Sequence, residues 1–227
     1  MKRLAIFLVV LLALAVIGDF GAKVLVENLA GRALASHRGV NGSVDVSLGG
    51  FPFLLHLKDR EFSSVSVEAE DVRGGSFAAS SDLGAQSEAR IDSLRLEMRD
   101  VTIRGDLWGD DPDRAVSAAS GEGAASIGSA SLNRMVPEEY AARLTLLDGA
   151  VRVTADTPAG QQSAEVSSDR VRIDPDQGTV VVEAPPPVGA IVIPLPQLVR
   201  GIRFRSVDVT RGSLDLAFVL SDVRFEL

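Results

Sequence analysis

The C-terminal run "IRFRSVDVTRGSLDLAFVLSDVRFEL" alternates apolar and polar residues on both sides of a single turn. Val207 and Val209 precede Arg211-Gly212, and Leu214, Leu216, Phe218 and Leu220 follow it. A period of two on either side of a glycine turn predicts an antiparallel hairpin with one covered face and one wet face. Similar alternation recurs upstream. Val44, Val46 and Leu48 alternate with Ser43, Asp45 and Ser47, and the run stops at Gly49-Gly50. Val65, Val67 and Ala69 alternate with Ser64, Ser66, Glu68 and Glu70, and Leu55 and Leu57 read as the start of that strand. Leu94, Leu96 and Met98 share a face, but Val101 and Ile103 fall in the opposite register, which predicts a bulge or kink near Arg99-Asp100. Val151 and Val153 follow an Asp148-Gly149 turn, and "RVRIDPDQGTVVVEA" predicts a hairpin around Asp176-Gln177-Gly178.

Helices to cover so much sheet are scarce. "DFGAKVLVENLAGRALAS" (19–36) has Ala22, Leu25, Val26, Leu29 and Ala33 on one face, with Asp19, Lys23, Glu27, Asn28 and Arg32 around the rest. "SLNRMVPEEYAARL" reads as two short pieces, Pro137 opening the second. "PPPVGAIVIPLPQLVRG" reads as a proline-punctuated link with one helical turn at Gln197–Arg200. The economical fold is α+β: one curved antiparallel sheet wrapped around one or two helices. Its concave face either closes on itself as a packed barrel or sandwich, or stays lined but unfilled and accepts a hydrophobic guest.

The N-terminus has a different grammar. Lys2 and Arg3 precede an unbroken apolar run, Leu4 to Ile17. Its fourteen residues would cover roughly 21 Å as helix, short of the ~30 Å hydrocarbon core. Cations followed by a short apolar run predict an export signal, residues 1–18, that also serves as an anchor if it is not cleaved. Residues 19–227 then form a single domain outside the cytoplasmic membrane.

Several function classes drop out. The chain has no cysteine, which removes disulfides, thiolate nucleophiles and cysteine-linked lipid anchors. Net charge is −8, and leaving out Lys2 and Arg3 the remainder carries 21 basic against 31 acidic residues, or −10. Such a surface repels nucleic-acid backbones and anionic headgroups, so lipid contact is expected to be apolar and local. His37 and His56 have no metal-ligand neighbour at helical spacing, and "GDLWGDDPDR" departs from calcium-loop spacing, so it reads as a solvated turn. "GEGAAS" is not a dinucleotide fingerprint, and no serine sits in a nucleophile elbow. No enzyme, cofactor or metal site is expected.

One block ties these pieces together. Gly50-Phe51-Pro52-Phe53-Leu54 closes the first strand; Val65 to Val72 ("VSVEAEDV") follows; and Gly201-Ile202-Arg203, Ser206-Val207-Asp208-Val209-Thr210 and Gly212-Ser213-Leu214 end the chain. In that order, from about Phe20 to Leu227, they resemble the LmeA-type phospholipid-binding family of actinobacterial cell envelopes. The resemblance implies a tubular-lipid-binding (TULIP-like) fold, in which a strongly curved antiparallel sheet wraps a long N-terminal helix around an acyl-chain groove. The stretch 117–131, "SAASGEGAASIGSAS", reads as a divergent loop.

Pro52 suits a strand edge or the bend where a strand leaves the sheet, with Phe51 and Phe53 projecting differently. The candidate lipid-contacting residues are Phe51, Phe53, Leu54 and Leu57, with Leu25 and Leu29 expected on the sheet-facing or groove-facing side of the helix. The expected function is non-enzymatic binding of a phospholipid or similar amphiphile at the membrane, for lipid transfer or envelope maintenance. The rival readings are an envelope scaffolding module with a filled core and, third, an envelope hydrolase.

Overall fold

A computed structural model describes residues 2–35, 41–73, 90–105, 115–157, 160–195 and 201–226. Within them the N-terminal helix α1 (Lys2–Ala35) is followed by β1 (Val44–Gly49), α2 (Phe53–Asp59), β2 (Glu61–Arg73), β3 (Arg90–Arg104) and β4 (Ala115–Gly128). Then come α3 (Ser129–Met135), β5 (Ala142–Leu147), β6 (Ala150–Thr157), β7 (Gly160–Ser167) and β8 (Val171–Asp174). Strands β9 (Thr179–Glu183), β10 (Ala190–Pro194), β11 (Ile202–Thr210) and β12 (Ser213–Glu226) complete the order. The fold is α+β, and every strand pair is antiparallel.

Three sheets form instead of one. The largest runs β1-β2-β3-β4-β12-β11, and two three-stranded sheets, β5-β6-β7 and β10-β9-β8, accompany it. One continuous core joins them, from Leu94, Phe218 and Leu214 through Leu144 and Val153 to Val180 and Ile193. The hairpins at Asp148-Gly149, Asp176 to Gly178 and Arg211-Gly212 form where the sequence puts them. Gly178 takes φ 63°, and the Asp174 carboxylate accepts the amides of Asp176 and Gln177.

The expected kink at Asp100 is part of a larger device. Asp71, Asp100 and Asp222 all take left-handed φ, at 53°, 51° and 48°. Each stands in the same local pattern, with a buried residue, one spacer, the aspartate, then a buried valine: Ala69 to Val72, Met98 to Val101, Leu220 to Val223. A strand would normally turn that valine to the wet face, and one left-handed residue returns it to the core. Aspartate tolerates this conformation better than most residues. Moreover, Ser63, Asp100, Ala119 and Asp222 lie abreast on β2, β3, β4 and β12, each skipped by ladders whose register is otherwise unchanged. The sheet is creased along that row.

Two sequence expectations need correction here. The stretch 117–131 is mostly β4, an inner strand of the large sheet, and only its end enters α3. Its alanines, serines and glycines carried no alternation, because small residues there make room for a neighbour. A Cβ on Gly123 would lie 2.4 Å from Cε2 of Phe218, the residue opposite it. That ring packs edge-on against Phe204, with centroids 6.0 Å apart. The link at 185–201 likewise holds a paired strand, β10, with Ile191 and Ile193 fully buried; the turn expected at 197–200 lies outside the described residues.

Helix α1 lies along β1, the edge strand of the large sheet, and packs against β1 and α2. An uncovered edge strand is an open template for pairing, and a helix laid on it removes that hazard. Glu27 Oε1 accepts the Leu48 amide at 2.7 Å. Near the other end of β1 a Cβ on Gly31 would come within 2.8 Å of the Val44 carbonyl oxygen, so glycine permits the close approach.

Candidate functional site: the corner between the two N-terminal helices

The Gly50-Phe51-Pro52-Phe53-Leu54 block opens a helix, not a strand. Gly50, at φ 127°, turns the chain out of β1, and Pro52 takes the N-cap position. Proline brings no amide needing a partner, and its fixed φ is compatible with a helix start. Pro52 has no side chain with which to cap, so the first amides need an acceptor from elsewhere. Asp19 of α1 supplies it: Oδ2 accepts from Phe53 N and Oδ1 from Leu54 N, each at 2.8 Å. Asp19 is 6 % exposed, and its buried charge is compensated by these two donors at a helix start. The helix ends at Arg60, whose left-handed φ of 60° lets its amide reach the His56 carbonyl. Leu55 and Leu57, expected to begin a strand, therefore belong to α2. Asp19 was legible only as a polar residue on the helix; its partners lie more than thirty residues away.

The two phenylalanines part company. Phe53 is 1 % exposed, with its ring 6.1 Å from that of Phe62 at the crease end of β2. Phe51 is 65 % exposed. Leu57 packs half-buried against the core, while Leu54 and Leu55 stand on the outer side of α2. On α1 the side chains packed inward are Ala22 and Val26, beside Asp19 and Glu27. Leu25 and Leu29, expected toward the sheet or a groove, are 61 % and 39 % exposed and are not packed against the sheet.

All the large apolar side chains that stand exposed among the described residues come from this corner: Ile17, Phe20, Val24, Leu25 and Leu29 on α1, and Phe51, Leu54 and Leu55 around α2. The described side chains of the twelve strands contribute none. Apolar surface scattered singly is ordinary, but apolar surface gathered in one place marks a contact site.

The corner holds little that could do bond-breaking chemistry. His56 Nδ1 lies 2.8 Å from the Glu61 carbonyl oxygen, and Lys23 and Glu27 form an ion pair at 3.7 Å. Among the described residues no three His, Asp or Glu side chains gather as metal ligands. His37 and most of the acidic stretch at 105–114 lie outside the described residues.

Among the described residues, this fold of antiparallel sheets keeps its exposed large apolar side chains on α1, on α2 and at Phe51 just before α2. More particularly, residues 17–218 match the model of the LmeA-like phospholipid-binding family, and the chain belongs to that family. No curated protein and no solved structure matches it.

Proposed function

We propose that this protein binds a phospholipid or similar amphiphile by its acyl chains, without catalysis, along the exposed apolar side of α1 and the start of α2. The observation that carries this reading is the confinement, among the described residues, of exposed large apolar side chains to that corner, in a chain of a phospholipid-binding family. Leu25, Leu29, Phe51 and Leu54 are the contacts, and Phe53 and Leu57 hold the segment that presents them. A TULIP-like groove bounded by α1 gives the acyl chain a track, and each methylene removed from water contributes about 0.8 kcal/mol before ordering costs. The lipid is carried for transfer or envelope maintenance. The domain works outside the cytoplasmic membrane, exported and held by its N-terminal apolar segment. Among the described residues no helix is long and apolar enough to cross a membrane.

Native mass spectrometry of the full chain, purified without added lipid, tests the binding step. The expected spectrum carries adducts at phospholipid masses, released by organic extraction. Bare protein mass, unchanged after incubation with phospholipid vesicles, would leave the filled-core scaffold as the function.

A further inference from the structure

Five of the exposed apolar residues stand in the two segments that one buried carboxylate ties together. Ile17 and Phe20 flank Asp19 in α1; Phe51, Leu54 and Leu55 flank the two amides that Asp19 accepts. A short surface helix normally turns its polar side outward. Here α2 turns Leu54 and Leu55 outward, with Lys58 and Asp59 exposed one turn further on. Something apolar must cover this face, and α1 says what it is. The run Leu4 to Ile17 belongs to the same helix and ends at the patch itself. Whatever medium receives that run is therefore in reach of Ile17 and its neighbours.

The lysines point the same way. The chain has three, Lys2, Lys23 and Lys58, all on α1 or α2, while its other cations are arginines spread over the whole sequence. Lys2 precedes the apolar run and Lys58 follows the patch on α2, while Lys23 is held in its ion pair with Glu27. A lysine stem lies along apolar surface while its ammonium reaches water and headgroups. The rest of the molecule, strongly acidic, has no such bias toward an anionic surface.

We infer that Ile17, Phe20, Phe51, Leu54 and Leu55 form a docking patch that seats in the interfacial layer of a lipid bilayer, with Lys58 at headgroup depth. Fourteen helical residues fall short of a span; the patch supplies the additional buried apolar area that turns a shallow insertion into a fixed orientation. Asp19 sets that orientation, because it ties α2 to the helix that enters the membrane. The docking patch rests on the membrane location proposed above; Phe51 and Leu54 serve both it and the lipid contacts proposed there, while Ile17, Phe20 and Leu55 belong to the patch alone.

The absence of cysteine makes the test clean. Single Leu55→Cys and Gln161→Cys chains, the second on β7, are labelled with an environment-sensitive nitrobenzoxadiazole and mixed with vesicles of phosphatidylcholine and phosphatidylglycerol. Both positions are exposed, so the label displaces no core. The account expects the probe at position 55 to shift to the blue and to be quenched by lipids carrying a doxyl group near the headgroup. The probe at position 161 stays unchanged. A position-55 probe that reports water in the presence of vesicles, whether or not the chain floats with them, overturns the inference. So does quenching by doxyl-lipid that persists on the protein after the vesicles are removed, because position 55, which belongs to the patch alone, would then lie against carried lipid and not against the bilayer. Failure to retain lipid in native mass spectrometry would sink the cargo reading and leave this result standing.

Discussion

The helical corner and the strand body treat apolar residues in opposite ways. In the body, Val153, Val180, Ile191, Ile193 and Leu214 are sealed, and the wet faces carry cross-strand ion pairs such as Arg95–Glu68, Arg152–Glu165 and Arg172–Glu183. At the corner, Phe51, Leu54, Leu55, Leu25 and Leu29 face outward, while the charged side chain Asp19 faces inward. An inverted arrangement of this kind is stable only where the buried charge is satisfied and the exposed apolar surface has a partner. Asp19 meets the first condition through two backbone amides. In the function proposed above, lipid meets the second. The body is thus a scaffold, and the corner is the part that meets something else.

The sharpest way to break this contrast lies within one tripeptide. Phe53→Ala should cost about 3–5 kcal/mol in denaturant unfolding, since it empties a sealed site against Phe62. Phe51→Ala should stay within about 0.5 kcal/mol of the parent and lose lipid retention instead. Equal destabilisation by both would place Phe51 in the core and remove the distinction.

Asp19→Ala comes next, at about 1–3 kcal/mol, from two amides left without their acceptor. Amide hydrogen exchange should accelerate at Phe53 and Leu54 and hold steady in β9 and β10. Uniform acceleration across the chain would mean that the corner and body do not separate energetically.

In the body, Gly123→Ala should cost a similar ~1–3 kcal/mol, because the new methyl drives into the Phe218 ring. Lipid bound per folded molecule should not change. A selective loss of lipid in this variant would extend the site into the large sheet. The smallest effect is expected from Arg152→Ala, an exposed partner of Glu165, at under ~1 kcal/mol by thermal melting, with lipid retention untouched. A larger cost would show that the wet faces contribute more than solvation.

Legibility followed the same division. Hairpins with glycine turns and strict alternation, such as β11–β12, could be read directly because each strand's pattern is set by its own residues. The kink at Asp100 was legible as a break in alternation, although its alignment with Asp222 depends on strand neighbours that no local pattern reveals. Strand β4 was not legible. Its small residues answer to Phe218 across the sheet, and Phe218 lies far along the chain. Helix α2 was hidden for a related reason: its acceptor, Asp19, belongs to another helix, and "FPFLLHL" offers apolar residues compatible with either period. The site residues were found as a block, and their directions were not. Burial separates Phe51 from Phe53 and turns Leu25 and Leu29 outward, which depends on how α1 lies against β1.

The central claim is that lipid meets this protein at the helical corner and nowhere on the strand body. Photocrosslinking with a phospholipid carrying a diazirine in its acyl chain, followed by peptide mapping, tests it most directly. The account predicts adducts within residues 17–29 and 51–58 and none within β5 to β10. Adducts concentrated on the inner residues of those strands, with the corner unlabelled, would contradict it.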